Sequence, residues 1–494
     1  MRRISILVLL VLTCLHIQAQ KETNWWYFGR NAGLNFNILQ SVTSDAGIPT
    51  AGMPTSVDGP LNAYEGCFTL SDSDGNLLMS SNGMTVYNKN NVGMFNGAGL
   101  LGGDSSTQSG IVVPVPGSPD KFYVISVAAE QGANGITYST VDMSLESGLG
   151  AVTSTKNVKL LAGPTDENIA AIRHANGMDY WLMHRRMQNN ILTIYVWAVT
   201  SSGIASTPVI YSLSNTPGYG SVTYLGYLKF TSDGSRFASP LRGTGHIVSG
   251  VFDTQTGIPS DIQSRRISAV DLNGYSVEFS PSGEQLYLGV WGGTGNYLYQ
   301  ISWDGLRNTT NMAYQYPNQI NTLQVSPDGR IYGIRDASKN LFVIMNPEAT
   351  SGNADVRVFS AFLKGNAAGG LPTFAASFFN AKAKDKSFVC VGNDFKYAVE
   401  VSMTGAVADQ PTKLEWNFGD GSAKVTQNIV AGTTVYKQTH NYAVTGKYAI
   451  TITPYKASGI ALATVTLPAN VVDCVIQTNR MIRTDLLNTA QQKK

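Results

Sequence analysis

The chain is 494 residues long, with 35 Lys plus Arg against 33 Asp plus Glu and charged residues at only 14%, where an ordinary globular protein has about 25%. A balance this close to neutrality lacks the basic surface that a phosphate backbone demands, which excludes nucleic acid as the partner. Hydrophobic residues at 43%, with 50 Gly and 23 Tyr, exclude disorder and collagen and point to many strands joined by tight turns.

At the N-terminus, Arg2 and Arg3 precede the apolar run Ile4 to Thr13, and Ala19 offers a small residue for cleavage. This is the pattern of a secretory signal peptide over residues 1–19. The run is shorter than the roughly 20 residues a helix needs to cross a bilayer, and no later stretch is long enough. No transmembrane span is therefore expected, and the exported protein is expected at the cell surface, outside the cell or in the periplasm. Cys14 raises a lipoprotein as the rival reading, against which Thr13 stands as a poor neighbour for a lipidated Cys. Cys67, within an apolar stretch, reads as an inert core thiol. Cys390 and Cys474 bracket the C-terminal segment and are the pair expected to form a disulfide in an oxidising compartment. The open alternative is that the first and last strands of that segment run parallel and hold the two beyond the roughly 7 Å limit for bridging.

Between residues 20 and 380 a strand, a Gly-containing turn and a second strand recur. The clearest copies are 227–237, 277–287 and 323–332, whose turn glycines Gly234, Gly283 and Gly329 are 49 and 46 residues apart, near the period of a four-stranded β-propeller blade. Weaker copies at Asp74-Gly75, Pro119-Asp120 and Asn176-Gly177 read as two-residue hairpins. Six blades can be counted. The end pieces 25–37 and 370–379 are expected to combine into a seventh, with C-terminal strands inside, which closes the ring and removes exposed edges. A six-bladed ring with separate terminal strands is the alternative, and the fold class is all-β on either count.

Residues 381–387 read as a charged linker, after which the repeat stops. Beyond it Leu414, Trp416 and Phe418 alternate with polar residues, Gly419-Asp420-Gly421 supplies a turn that needs permissive φ, and His440-Asn441-Tyr442 and Gly446 to Ile452 follow. This stretch resembles a PKD domain, an immunoglobulin-like β-sandwich, over 388–474, leaving 475–494 as a polar tail. Asn24 to Gly29, Glu65-Gly66-Cys67, Asn88-Lys89-Asn90, Ser106-Thr107-Gln108-Ser109 and Arg173 to Gly177 together resemble the propeller region of secreted, gliding-motility-associated PKD proteins of Bacteroidota. That resemblance implies an accessory place in the gliding and type IX secretion apparatus, with an outer-membrane protein as partner.

In a propeller, the loops that lead into the inner strands share one face with the loops between second and third strands. On that register the first set offers Glu65, Gln108, Glu167, Tyr224, Asn273 and Asn321. The second offers Asn82, Glu130, His184, Arg185, Arg186, Arg242, His246, Trp291, Arg335 and Asp336. Arg185, Arg186, Arg242 and Arg335 with Trp291 suit the carboxylate or sulfate of a sugar, through bidentate hydrogen bonds and stacking. The plainer reading is a set of solvated residues paired with nearby acids. Glycoside hydrolysis needs two carboxyl groups at a set separation, and Glu65 with Glu167 is the candidate pair. A lyase using His184 or His246 with a metal is opposed by a supply of five His in the whole chain, none in paired spacing. Calcium is left undecided. The segment Asp72 to Asn76 is followed by Leu77-Leu78-Met79 rather than the ligands of an EF-hand, and Asp420 between two glycines could instead cap its own turn. No phosphate loop, nucleophile elbow or dinucleotide fingerprint is present, and no other cofactor is expected. On balance the sequence reads as a non-enzymatic cell-envelope protein whose propeller recognises a glycan or a protein, with the sandwich as spacer or second contact module. A propeller glycoside hydrolase or polysaccharide lyase acting on an anionic polysaccharide is the alternative.

Overall fold

The structure is a computed structural model that describes residues 21–267, 273–292, 297–308, 313–379, 388–392, 394–401, 410–430, 433, 435–462 and 464–472. The signal peptide, the charged linker, the polar tail and Cys474 lie outside the described residues. Among the described residues no helix is long and apolar enough to cross a membrane.

The fold is all-β, built of discrete small sheets arranged in a propeller-like way. The first sheet holds Trp25–Phe28, Arg30–Thr43 and Pro49–Asn62. A nine-stranded sheet follows over Phe68–Leu161, formed of two antiparallel parts joined by a parallel pairing of Phe95 with Ala151. Four more sheets run over Ala170–Leu213, Lys229–Arg266, Gly274–Tyr316 and Thr322–Phe359. Their leading strands stand side by side in chain order, Trp25–Phe28 against Phe68–Ser71, then Gly110–Pro114, Ala170–Arg173, Lys229–Phe230, Gly274–Phe279 and Thr322–Val325. Gly110–Pro114, Gly274–Phe279 and Thr322–Val325 are buried on both faces, as befits strands packed between neighbours rather than half-wet ones.

The recurring turns share one geometry. In each of five copies the amide of the glycine donates to the carbonyl three residues back: Gly75 to Asp72, Gly177 to His174, Gly234 to Thr231, Gly283 to Ser280 and Gly329 to Ser326, at 2.8–3.0 Å. All five glycines have φ between 74° and 89°, where a Cβ would be strained. The turns are longer than the two-residue hairpins expected, since Ser71 pairs with Leu77 and the His174 amide reaches the Asp179 carbonyl. The copy near Pro119 turns at Gly117 instead. A true two-residue hairpin does occur elsewhere: Asn189 and Asn190, at φ 51° and 60°, join Gln188 to its partner Ile191, using the tolerance of Asn for this conformation.

The last sheet packs back on the first. Trp26 sits 5.0 Å from Phe36 and 5.9 Å from Tyr332, and Phe36 is 5.3 Å from Tyr332 edge-on, each pair contributing about 0.5–1.5 kcal/mol beyond its area. Arg330 donates to the carbonyls of Ala51 and Gly52 across the same seam. The closure differs from the one expected. The N-terminal piece already has its own third strand, Pro49–Asn62. The C-terminal piece forms no inner strand of that sheet, but bridges Arg30 to Asn366 and Cys67 to Pro372 before a short 3-10 turn at Ala376–Phe378. Pro372 lacks the amide and Gly369-Gly370 lack the side chains that a regular strand there would use.

From Phe388 the strands form sheets of their own. One holds Phe388–Cys390, Val465–Val472, Gly446–Lys456, Pro411–Asn417 and Val425–Asn428, and the other pairs Asp394–Glu400 with Val435–Asn441. Trp416, Phe418, Tyr442, Ile450 and Ile452 are buried in their common core. Gly419 and Gly421 take φ 79° and 84°, as that turn requires. Phe388–Cys390 and Val465–Val472 run parallel, in a register that sets Cys390 beside Val472.

Candidate functional site

One end of the ring collects the loops that lead into the inner strands. Their backbones hold one another: the Glu65 amide donates to the Asp104 carbonyl (2.8 Å), Gly66 to Ser106 (2.8 Å), Gln108 to Glu167 (3.1 Å) and Glu167 to Tyr224 (2.8 Å). Glycines permit this. A Cβ on Gly66 would lie 2.2 Å from the Ser109 nitrogen, and one on Gly370 would lie 2.1 Å from the Glu65 carbonyl oxygen. Gly369 likewise lies under the Trp291 ring and the Glu65 side chain.

Glu65 is 6% exposed. Its Oε2 accepts the Tyr275 hydroxyl at 3.0 Å, and Tyr275 is fully buried between Tyr227 and Trp291. Burial, then the negative charges of Glu167 and Asp336, push the Glu65 carboxyl up to about 8, with Tyr275 and Arg242 opposing. A carboxyl in this state keeps its proton at neutral pH. Glu167 is 0% exposed. Its Oε1 accepts the Glu130 amide (2.5 Å) and its Oε2 the Thr107 amide and hydroxyl (2.8 and 3.0 Å). Burial raises it to about 7 against those three donors. With both oxygens spent, Glu167 clamps the loops at Thr107 and Glu130 and acts on Glu65 through its charge. Tyr224, half-buried beside both glutamates, is raised by burial and by Glu167.

Over these acids lies a polar and aromatic rim. The half-buried Arg242 guanidinium stands 5.6 Å from the Trp291 ring and 5.8 Å from Tyr275, and one of its nitrogens donates to the Trp291 carbonyl at 3.1 Å. Trp291 meets Tyr275 edge-on at 4.9 Å, and Tyr64, 45% exposed, lies 6.1 Å from Trp291 on the outer side. Asp336 is held by its amide, which donates to Asn321 Oδ1 at 2.7 Å. An arginine beside an aromatic face can receive a carboxylate or sulfate and stack a sugar ring. Glu65 beneath it can give or take a proton.

The structure thus brings Glu65, Glu167, Arg242 and Trp291 together and sets Arg185 apart. Arg185 and His184 lie inside the nine-residue strand Tyr180–Gln188, not in a loop, and both are fully buried. Arg185 pairs with Asp166 at 2.5 Å and donates to Ser239 Oγ and the carbonyls of Thr223, Leu225 and Pro240. All five of its donors are spent, so it ties two sheets and cannot reach a ligand. His184 is pushed down to about 3 by burial, its Nδ1 held by the Asn168 carbonyl, which removes it as a base. Arg186 is half-buried on the same strand, where its charge acts on Asp166, and Arg335 is exposed. Residues missed by the sequence reading are Tyr275 and Thr107, together with the Gly369-Gly370 floor. Tyr275 has the look of a core residue in an apolar strand, and its only signal was its place two residues after Asn273.

Both calcium candidates are engaged in bonds within the protein. Asp72 Oδ1 accepts the amides of Asp74 and Asn76, and Asp72 Oδ2 accepts the Asn76 side chain. Asp420 accepts the Ser422 amide and lies 2.7 Å from His440 Nε2. Among the described residues no three His, Cys, Asp or Glu converge as a metal site would require. Cys67 is free and fully buried.

No protein-family model matches the chain, and no curated protein matches it. Solved structures align with it along much of their length. A protein described as a 6-phosphogluconolactonase from Bacteroides fragilis is 12% identical, covering 62% of this chain and 97% of its own, at a TM-score of 0.34. The periplasmic gluconolactonase of Pseudomonas aeruginosa is 13% identical, covering 70% and 97%, at 0.31. The extracellular domain of a protein described as a hybrid two-component system from Bacteroides thetaiotaomicron is 12% identical, covering 91% and 56%, at 0.38. Resemblance at this level does not carry a reaction from one chain to another.

The expectation of a non-enzymatic chain is corrected at this point. It stood on the lack of a catalytic set in the sequence, whereas the ring gathers a buried Glu65 whose carboxyl is pushed up to about 8, its acidic neighbours and a half-open Arg242 with Trp291.

Proposed function

We propose that the chain is an exported propeller glycoside hydrolase that acts on an anionic polysaccharide at the Glu65 end of a seven-bladed ring. The nine-stranded sheet is read here as two blades, which with the other five sheets makes seven. Arg242 receives the carboxylate or sulfate of the substrate, Trp291 and Tyr64 stack its rings, and Glu65 donates a proton to the leaving glycosidic oxygen as water attacks the anomeric carbon and gives its own proton to Asp336, an acid whose charge reaches Glu65. Glu167 and Tyr275 position Glu65, the first by charge and the second by hydrogen bond. The body from 388 onward is read as a PKD-type sandwich that serves as spacer or second contact module, and export is supported by the Arg2-Arg3 and Ile4 to Thr13 pattern.

The single observation that carries this reading is a buried carboxyl that retains its proton to about 8 beside a half-open arginine and tryptophan. A general acid is useful when its pKa lies near the working pH. The test is a panel of uronate-containing and sulfated oligosaccharides incubated with the mature chain and with Glu65→Gln, folding being checked by circular dichroism. Turnover by the parent and its loss in Glu65→Gln is expected. Turnover retained by Glu65→Gln would overturn the assignment.

A further inference from the structure

The other end of the ring, where the glycine turns lie, holds a cavity of about 650 Å³ counted out to its open mouth. Gln108, whose amide is held by Glu167, also lines it, but Glu65, Glu167, Arg242 and Trp291 do not. Phe230, Phe279, Phe374 and Phe379 form its walls, all of them buried. Its polar floor is Lys229 with Glu278 and Gln324. Lys229 Nζ donates to Glu278 Oε2 at 2.9 Å and to Gln324 Oε1. Glu278 also accepts the amides of Phe279 and Val325 at 3.0 and 3.1 Å. Gln324 Nε2 gives one of its two N–H bonds to the Val325 carbonyl.

Donors are left over, among them those on Lys229 and Thr373. An ammonium has three N–H bonds, and two of those on Lys229 are used. The Thr373 hydroxyl, 3% exposed and lining the same cavity, has no partner, a state that costs free energy unless something fills it. The charge of Lys229 is already matched by Glu278. A charged guest would therefore be a third, uncompensated ion in a low-dielectric site, while a neutral guest with an acceptor oxygen would satisfy both donors.

We infer that this cavity is a second binding site, for a neutral small molecule with an apolar or aromatic body and a carbonyl or hydroxyl oxygen that accepts from Lys229 and Thr373. The inference is independent of the reaction proposed for the glutamate end. Benzamide, with benzoate and benzylamine as charged analogues of the same shape, is the probe set, read by saturation-transfer NMR and calorimetry on the mature chain. Benzamide is expected to bind with a Kd on the order of 1 mM, as suits a fragment of its size, and both charged analogues more weakly. Thr373→Val, which keeps the side-chain volume, is expected to weaken benzamide about fivefold, the worth of one hydrogen bond, while Glu65→Gln leaves it unchanged. Benzoate or benzylamine binding as well as benzamide would overturn the neutral class. Failure of all three to bind, or indifference to Thr373→Val, would overturn the site.

Discussion

The two ends of the ring each bury a glutamate, and they treat it in opposite ways. Glu278 is 2% exposed and receives Lys229 and two backbone amides. Glu65 is 6% exposed and receives one phenol, with Glu167 and Asp336 adding like charge and Arg242 standing off against the aromatic rings. Burial is nearly the same in the two, and at Glu65 it is the largest cause of the rise. The partner set decides: a matched counter-ion with amides makes a structural group, and like charges with a single neutral donor make a group that holds a proton.

The comparison breaks most visibly in stability. Lys229→Met strands the Glu278 charge and is expected to cost about 3–5 kcal/mol. Glu65→Gln removes no counter-ion and leaves an acceptor for Tyr275, so its cost at pH 6 is expected to stay below about 1 kcal/mol. Urea melts of both variants check this, and an equal loss in the two would erase the distinction drawn between the ends. On the substrate that the panel identifies, Glu65→Gln is expected to lower kcat by about 10²–10⁴-fold.

The pH dependence sharpens it further. Because the folded Glu65 titrates near 8 and its ordinary value is 4.5, the folded state binds more protons between the two. Its contribution is fully present below 4.5 and is lost as pH rises through 8. Glu65→Gln should therefore flatten the stability curve over that window, by on the order of 3 kcal/mol. Melts at pH 5 and pH 8.5 would expose it, and parallel curves for parent and variant would contradict it. Asp420 is the opposite case and the smallest effect. Although burial works the other way, the Ser422 and His440 bonds together hold it down to about 2, so its stabilisation is present above 3.8 and lost as pH falls through 2. Asp420→Asn is expected to cost about 1–2 kcal/mol at pH 7, measured on melting of the C-terminal body.

Much of this was legible in the sequence where one residue type answers one backbone demand. The turns at Gly234, Gly283 and Gly329 could be read because only glycine sits easily at φ 74–79°. Their register put Glu65 and Glu167 on one face. The strand Pro49–Asn62 was missed because Gly52, Pro54, Gly59 and Pro60 disguise it. Arg185 was misread because the strand Tyr180–Gln188 runs on past its expected end, turning a loop arginine into a buried tie. Tyr275 was invisible because a buried strand gives no sign of which hydroxyl meets a carboxyl 210 positions away.

The central claim is the protonation of Glu65, and it can be measured without a substrate. Carbon-detected NMR of the mature chain with 13C-labelled glutamate, compared with Glu65→Gln to assign the carboxyl resonance, gives its titration midpoint directly. A midpoint near 8, moving downward in Glu167→Gln as the neighbouring charge is removed, is the predicted result. A midpoint near 4.5 that ignores Glu167→Gln would contradict the account.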